Sequence, residues 1–402
     1  MYSTKLRKYE FHLVGVLRQR YYQLLCNKNK TTPISPIRRS ISCSSVSASE
    51  LLAWSSSDFS PSSSSSSDLR SSSSSPFSLK KHTTKKNMMN GGSGVEGDMR
   101  FHKGSTISPQ LFDTSLRDGI QMACVDDYSL TTKQNILWHI MTLYAPAAIE
   151  VGSVVSPKMF PIFKDSWELM EFAQDAAKEA TQIGYKPPPD LYLLTPNKKS
   201  LDRTIQHFAN KKMPYPIHYS FITAMTDGFQ GRNTKKTLVE HKLELSSMGR
   251  LLATESPQSK LKLYVSCVSE CPVEQRKSYP HDVAIEIVNY LSMFPYLHIN
   301  VCLSDTMGTL TFDEYKFIID LIRYRYGSHD PAILSKLSLH LHVNESNLRE
   351  VRHIIWYSLQ KNMNQFDVSM LEGGGCKTTL SKKDVKPNLD YESFFNILYC
   401  KD

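Results

Sequence analysis

From residue 110 onward this 402-residue chain carries eight short apolar runs, with a stretch of helical spacing in each of the seven gaps between them. The apolar runs fall at 110–113, 147–152, 191–195, 217–221, 261–267, 299–305, 337–342 and 366–370. Helical patterns fill the gaps at 131–144, 165–183, 199–209, 235–252, 282–293, 312–326 and 348–360. Short runs rich in Val, Ile and Leu suit strands buried on both faces, as in a parallel sheet. Parallel neighbours need a crossover, and the helices supply it. Eight units in about 290 residues fit an α/β fold built as a single closed (β/α)8 barrel, a TIM barrel, better than an open doubly wound sheet. No Gly-x-Gly-x-x-Gly follows the first run, which counts against a dinucleotide-binding sheet.

Barrel sites are built at the C-terminal strand ends. Read in order, those ends offer Asp113, Arg117 and Asp118, then Glu150, Thr195 and Asn197, Ser266 and Cys267, Asp305 and Thr306, His340 and His342. Cys376 lies beyond the eighth run. Charged groups crowded at one strand end are costly to desolvate unless they face a cavity or an ion. His340 and His342 are two apart on a strand, so both imidazoles point to the same side. With Asp118 and one more oxygen donor they would form a divalent-metal site with positions left open for substrate. Mixed nitrogen and oxygen ligands do not select one metal: imidazole suits zinc, iron or nickel, and carboxylate or amide suits magnesium or manganese.

Charge is unevenly placed. Residues 1–108 carry 16 Lys and Arg against 6 Asp and Glu, leaving 32 against 33 in the remainder, so the net +9 belongs to the front. A near-neutral body gives no support to nucleic-acid binding. The first 42 residues combine basic side chains with an apolar set at roughly helical spacing, which suits a cleavable targeting helix and a mitochondrial address. Read as a plain basic tail, the same residues leave the protein in the cytoplasm. A serine tract at 43–79 has too little apolar surface to offset ordering entropy and predicts disorder. The expected division is a disordered region at 1–104 and a barrel domain at 105–402. No run approaches the ~18 apolar residues of a transmembrane segment. Eight cysteines scattered through a long chain predict reduced thiols, and Cys267 and Cys271 lack the second pair of a structural zinc site.

The strand-end motifs carry a resemblance. Asp113-Thr-Ser-Leu-Arg-Asp-Gly-Ile-Gln121 resembles the opening signature of the metal-dependent lyase and synthase barrels, a family that includes isopropylmalate synthase, homocitrate synthase and 3-hydroxy-3-methylglutaryl-CoA lyase. Ile149-Glu-Val-Gly-Ser-Val-Val-Ser-Pro-Lys158, Leu194-Thr-Pro-Asn197, Tyr264-Val-Ser-Cys-Val-Ser-Glu-Cys-Pro272, Leu303-Ser-Asp-Thr-Met-Gly308, His340-Leu-His342 and Gly373-Gly-Gly-Cys376 resemble the lyase in particular. The likeness spans about 110–398, in motif order. It implies metal ligands Asp118, His340, His342 and Asn388 for Mg2+ or Mn2+. Arg117 would stabilise the enolate oxygen that develops as a carbon–carbon bond breaks, the preorganised-charge role. The resemblance further implies that Glu150 and Asp305 orient or relay protons and that Cys376 is a reactive thiol on a glycine-rich lid. Gln121, Asn197, Ser266 and Thr306 are expected to contact an acyl-CoA substrate. The expected reaction is cleavage of 3-hydroxy-3-methylglutaryl-CoA, or a similar 3-hydroxyacyl-CoA, to acetyl-CoA and acetoacetate, by a chain that forms a homodimer.

Departures from the lyase fall elsewhere than on the metal ligands. Val343-Asn-Glu-Ser346 follows the second histidine, and a basic stretch, Lys377-Thr-Thr-Leu-Ser-Lys-Lys-Asp-Val-Lys386, replaces a Pro-aromatic segment. Pro387 stands where the family has Gly before Asn388, and the chain stops at Asp402, soon after the eighth strand. These changes touch the lid, thioester binding and dimer contacts. Two further readings are therefore a condensing synthase acting on an acyl-CoA and a 2-oxo acid, and a non-catalytic barrel serving as a binding module.

Overall fold

The computed structural model describes residues 108–182, 187–371, 373–375 and 386–399. The basic front, the serine tract and Cys376 lie outside the described residues. Eight strands form the barrel: β1 (Gln110–Asp113), β2 (Ala148–Ser153), β3 (Asp190–Leu194), β4 (Ile217–Ala224), β5 (Lys260–Ser266), β6 (His298–Ser304), β7 (Leu337–His340) and β8 (Gln365–Val368). Each pairs in parallel with its sequence neighbours, and the sheet closes where β1 meets β8, with Asp113 opposite Val368. The expected closed (β/α)8 barrel is the architecture found.

Helices α1 (Leu130–His139), α2 (Ser166–Gln182), α3 (Lys198–Phe208), α4 (Leu238–Glu255), α5 (Pro280–Met293), α6 (Phe312–Tyr326) and α7 (Leu348–Gln360) are the seven expected from spacing. Their inner faces explain why. On α6, Tyr315, Ile318, Ile319 and Ile322 are buried at i, i+3, i+4 and i+7, the stripe that seats a helix on a sheet. α2 buries Ala173, Ala176, Ala177 and Ala180 beside Leu169 and Met170, so small side chains let it lie close to the strands. Start positions follow capping chemistry. Thr237 and Glu240 form a reciprocal capping box, which begins α4 at Leu238 rather than at 235. Lys235, in the left-handed region at φ 62°, instead closes a short preceding helix, Asp227–Thr234.

A further helix, α8 (Tyr391–Tyr399), follows the barrel and packs Phe394 against Phe366 of β8, ring centroids 5.2 Å apart. A two-stranded ribbon, Glu270–Cys271 with Arg276–Lys277, follows β5. Among the described residues Cys124, Cys267, Cys271 and Cys302 form no disulfide, and no helix is long and apolar enough to cross a membrane. The barrel interior is unusually polar toward β5, β7 and β8, where Lys262, Ser338 and Asp367 are all buried. These polar groups lie inside the barrel below its C-terminal mouth, and Asp367 meets His340 from beneath.

Candidate active site

After β1 the chain makes one π-type turn over Ser115–Gly119, a local irregularity frequent at functional sites. The N–H groups of Arg117, Asp118 and Gly119 all donate to the Thr114 carbonyl, at 3.1, 2.8 and 3.1 Å. Thr114 is tied in turn to the Val368 carbonyl of β8, through its N–H at 2.9 Å and its hydroxyl at 3.2 Å. Asp113 accepts from the Ser115 N–H at 2.9 Å, the Ser115 hydroxyl at 3.0 Å and the Tyr391 hydroxyl at 2.8 Å. Burial pushes the Asp113 carboxyl up to about 7 against those donors. The turn is thus braced on both sides, and it presents Arg117 and Asp118 to the barrel mouth.

Arg117 donates from Nη1 to Asp118 Oδ1 at 2.7 Å and from Nε to Glu150 Oε2. Its guanidinium lies 4.8 Å from the centroid of the Tyr264 ring, and the Tyr264 hydroxyl donates to the same Glu150 oxygen at 3.1 Å. Burial disfavours the charge on Arg117, but Glu150 and Asp118 outweigh it and hold the guanidinium firmly protonated. Burial likewise opposes ionisation of Asp118. The adjacent Arg117 and the two imidazoles win, and the carboxyl sits well below the usual range.

Asp118, His340 and His342 converge, with one ligand atom of each within 4.8 Å of the others. Asp118 Oδ2 is 3.8 Å from His340 Nε2, too long for a hydrogen bond and short enough for a shared cation. His342 Nδ1 is 2.9 Å from the Lys386 carbonyl, which can only accept, so Nδ1 carries the proton and Nε2 keeps its lone pair. Burial and the neighbouring His340 push His342 down to about 4, so the ring is neutral at pH 7. Asn388 is held by its Nδ2–H to the Gly373 carbonyl at 3.0 Å, while its buried Oδ1 has no partner. Two imidazole nitrogens, a carboxylate oxygen and an orphaned amide oxygen form a donor set suited to a divalent cation. Asp118, His340 and His342, expected as ligands, therefore fit one, and Asn388, bridged to His342, presents an unpartnered oxygen.

His340 is fixed from behind. Its Nδ1 lies 3.2 Å from Asp367 Oδ2, and Lys262 Nζ donates to the other Asp367 oxygen. This carboxylate–imidazole pair sets the tautomer that leaves His340 Nε2 unprotonated. Burial raises Asp367, but Lys262 and His340 outweigh it and keep the carboxyl below its ordinary value. Lys262 also donates to Ser338 Oγ at 3.2 Å and sits 3.9 Å above the Phe112 ring.

The other expected site residues divide. Arg117, Gln121, Asn197, Ser266 and Thr306 line one cavity of about 330 Å3 together with Asp118, His340 and His342. Within it Asn197 also caps α3, accepting from the Ser200 N–H at 2.9 Å, and Thr306 Oγ1 accepts from the Cys267 N–H at 2.9 Å. Gln121 reaches the Gly375 carbonyl at 3.4 Å. Glu150 lies behind Arg117, and its second oxygen is buried without a partner. Asp305 is placed differently: its two oxygens accept from the Thr309 and Leu310 N–H groups, both at 3.0 Å, and it does not line the cavity. Burial pushes it up to about 6. Its visible role is to shape the loop after β6. Cys376 lies outside the described residues.

Glycine is required where the last loop crosses the site. A Cβ on Gly373 would lie 1.9 Å from the Gly119 carbonyl, and one on Gly374 would meet the Asn388 amide at 2.9 Å. The next residue, Gly375, donates its N–H to Asp118 Oδ2 at 3.2 Å. Lys386, the last of the basic stretch, acts as a clamp, with its Nζ on the Gly308 carbonyl at 2.7 Å and its own carbonyl on His342.

No family model matches the chain, and no curated protein matches it. Solved structures do. A 3-hydroxy-3-methylglutaryl-CoA lyase from Brucella melitensis aligns at TM-score 0.53 and 24% identity, covering 72% of this chain and 90% of that one. The lyase from Pseudomonas aeruginosa aligns at 0.56 and 22%, covering 72% and 85%. A lyase from Acinetobacter baumannii, in complex with coenzyme A and 3-methylmalate, aligns at 0.56 and 20%, covering 72% and 83%. The resemblance drawn from the strand-end motifs fits these neighbours, and the chain has their barrel fold.

Proposed function

We propose that this protein is a divalent-metal-dependent carbon–carbon lyase that cleaves 3-hydroxy-3-methylglutaryl-CoA, or a close 3-hydroxyacyl-CoA, to acetyl-CoA and acetoacetate or the matching keto acid. The observation that carries the reading is the convergence of Asp118, His340 and His342 beside a buried Arg117 at the mouth of a closed barrel. Asp118, His340, His342 and Asn388 would hold Mg2+ or Mn2+. When bound, such an ion lowers the pKa of a coordinated hydroxyl and offsets negative charge developing on oxygen.

The protein's own groups do the rest. Arg117, locked between Glu150 and Asp118, presents a fixed positive charge to the cavity, where the thioester enolate oxygen forms as the C2–C3 bond breaks. Its orientation is set before substrate arrives, so no reorganisation is needed as the reaction proceeds. Glu150 holds that guanidinium and takes part in no direct contact with the cavity. Asp367, held by Lys262, fixes the tautomer of the neutral His340 ring with its proton at Nδ1 and Nε2 facing the cavity, and the Lys386 carbonyl does the same for His342. Cys376 follows Gly375, whose N–H is on Asp118, and its thiol is the group we assign to deliver or accept a proton at the substrate. The Acinetobacter lyase, whose structure holds coenzyme A and 3-methylmalate, supports an acyl-CoA substrate.

The test is direct. Full-length protein with Mg2+ or Mn2+ and the hydroxymethylglutaryl thioester should release acetoacetate, and Asp118→Ala should abolish it. Metal-loaded protein that yields no acetoacetate, yet releases free CoA from acetyl-CoA and a 2-oxo acid, would replace the lyase reading with the synthase.

A further inference from the structure

His342 stands beyond the sheet. β7 ends at His340, and among the described residues the one bridge His342 makes is to Asn388. Its flanks are stitched to the last loop, Val343 N–H to the Pro387 carbonyl at 2.8 Å and Leu389 N–H to the Leu341 carbonyl at 3.0 Å. His342 and Asn388 are thus tied to each other. A metal-binding imidazole past a strand end needs a further support to hold its place against Asp118 and His340. That support converges on one atom. Gly308, left-handed at φ 63°, presents its carbonyl to two donors, Lys386 Nζ at 2.7 Å and Asn347 Nδ2 at 2.9 Å. Both residues also hold His342. Asn347 Nδ2 donates to the His342 carbonyl at 2.8 Å, and the Lys386 carbonyl accepts from His342 Nδ1 at 2.9 Å. The loop that carries Gly308 is itself fixed: Gly308 N–H donates to the Asp305 carbonyl at 3.1 Å, and the Asp305 carboxylate holds the Thr309 and Leu310 N–H groups.

We propose that Lys386 and Asn347 are positioning residues, which set His342, and Asn388 with it, at the cation centre by fastening them to the Gly308 carbonyl. The inference deepens the reading of Asp118, His340 and His342 as metal ligands and rests on it. Neither Lys386 nor Asn347 lines the cavity, so both act through His342. The two stretches that depart from the lyases border this junction: Asn347 follows 343–346, and Lys386 ends 377–386. The departures therefore meet at one carbonyl, where each supplies a donor. Charge gives the role a sign. An ammonium close to a cation centre repels the ion, so loss of the Lys386 charge would by itself tighten metal binding. Loss of a positioning contact weakens it.

Full-length protein is titrated with Mn2+ by calorimetry. In parallel, the His342 tautomer is read by NMR in metal-free protein labelled with 15N-histidine, its signals assigned by their loss in His342→Gln. Lys386→Met and Asn347→Ala should each lower Mn2+ affinity about tenfold. The double variant should fall well short of the roughly hundredfold loss that two independent sites would give. Lys386→Arg keeps a cationic donor for Gly308 and should stay within about threefold of the unaltered protein. His342 should carry its proton on Nδ1 in the unaltered protein and populate both tautomers in Lys386→Met. Unchanged or tighter Mn2+ binding in Lys386→Met, or a fully additive loss in the double variant, overturns the positioning role and leaves the cation centre standing. A tautomer that does not move in Lys386→Met overturns the role whatever the metal does. Failure of Mn2+ to bind the unaltered protein, beside a tautomer that shifts in Lys386→Met, discards the cation centre and keeps the role of Lys386 in setting His342.

Discussion

Lys262→Met tests the arrangement behind His340. Lys262 and Asp367 expose only 2% and 1% of their side chains, so their pairing is scarcely screened by water. Removing the ammonium leaves a buried carboxylate with the His340 imidazole and the weakly donating Cys302 thiol beside it, a loss of about 3–5 kcal/mol. Equilibrium urea unfolding, followed by tryptophan fluorescence, should show that loss with an unchanged slope. Replacing both partners by apolar residues, as in Lys262→Met/Asp367→Val, removes the stranded charge and should recover most of the stability. The double variant nevertheless loses the group that orients His340, so its Mn2+ affinity should fall 10- to 100-fold, in the range found when such supporting contacts are removed. A single variant costing less than about 1 kcal/mol, or a double variant as unstable as the single, would refute the assignment of this pair as a desolvated ion pair.

Gly373→Ala should cost about 1–3 kcal/mol and weaken Mn2+ binding, because the new methyl group collides with the Gly119 carbonyl; thermal unfolding and metal titration read both. Cys376→Ala should lower turnover while leaving Mn2+ affinity intact, and an equal loss of metal would make the thiol structural. Asp113 has a folded pKa raised by burial to about 7 from 3.8, so its contribution to stability is fully present below about pH 4 and is lost as pH rises toward 7. Relative to Asp113→Asn, the unaltered protein should therefore lose stability across that window in urea titrations at successive pH values. A fluorescent protein fused behind residues 1–104 should enter mitochondria if the basic front is a targeting helix, and a diffuse cytoplasmic signal would exclude it.

The repeating units were legible because strand and helix here differ in period, and every one of the eight runs carries its strand. His340 and His342 were legible for the same reason, although β7 ends at His340 and His342 enters the site through a lone bridge to Asn388. What sequence reading missed was the support behind the metal pole. Lys262, Tyr264 and Ser266 share one side of β5 by alternation, a signal that a Lys points into the barrel. Its partner Asp367, flanked by Phe366 and Val368, reads as an ordinary interruption of a strand until the barrel closes. Asp305 shows the converse. A carboxylate at a strand end followed by Thr-Met-Gly can serve the loop's own N–H groups, and here it does. α8 escaped because its aromatic face has meaning only once Phe366 and Asp113 are in place to meet it.

Closure of β1 on β8 joins residues 254 positions apart, as in the contact of Thr114 with Val368. Loop-closure entropy must be met before such a contact returns anything, so this seam belongs to the late, slow part of folding. The consequence falls on assembly at the ribosome. Asp118 is synthesised well before Asn388, so a nascent fragment that lacks Asn388 cannot bring the two together. Once the seam is shut, an ion gripping both sides of it would act as a rivet. It would strengthen the finished barrel in proportion to its free concentration and do nothing for an incomplete one.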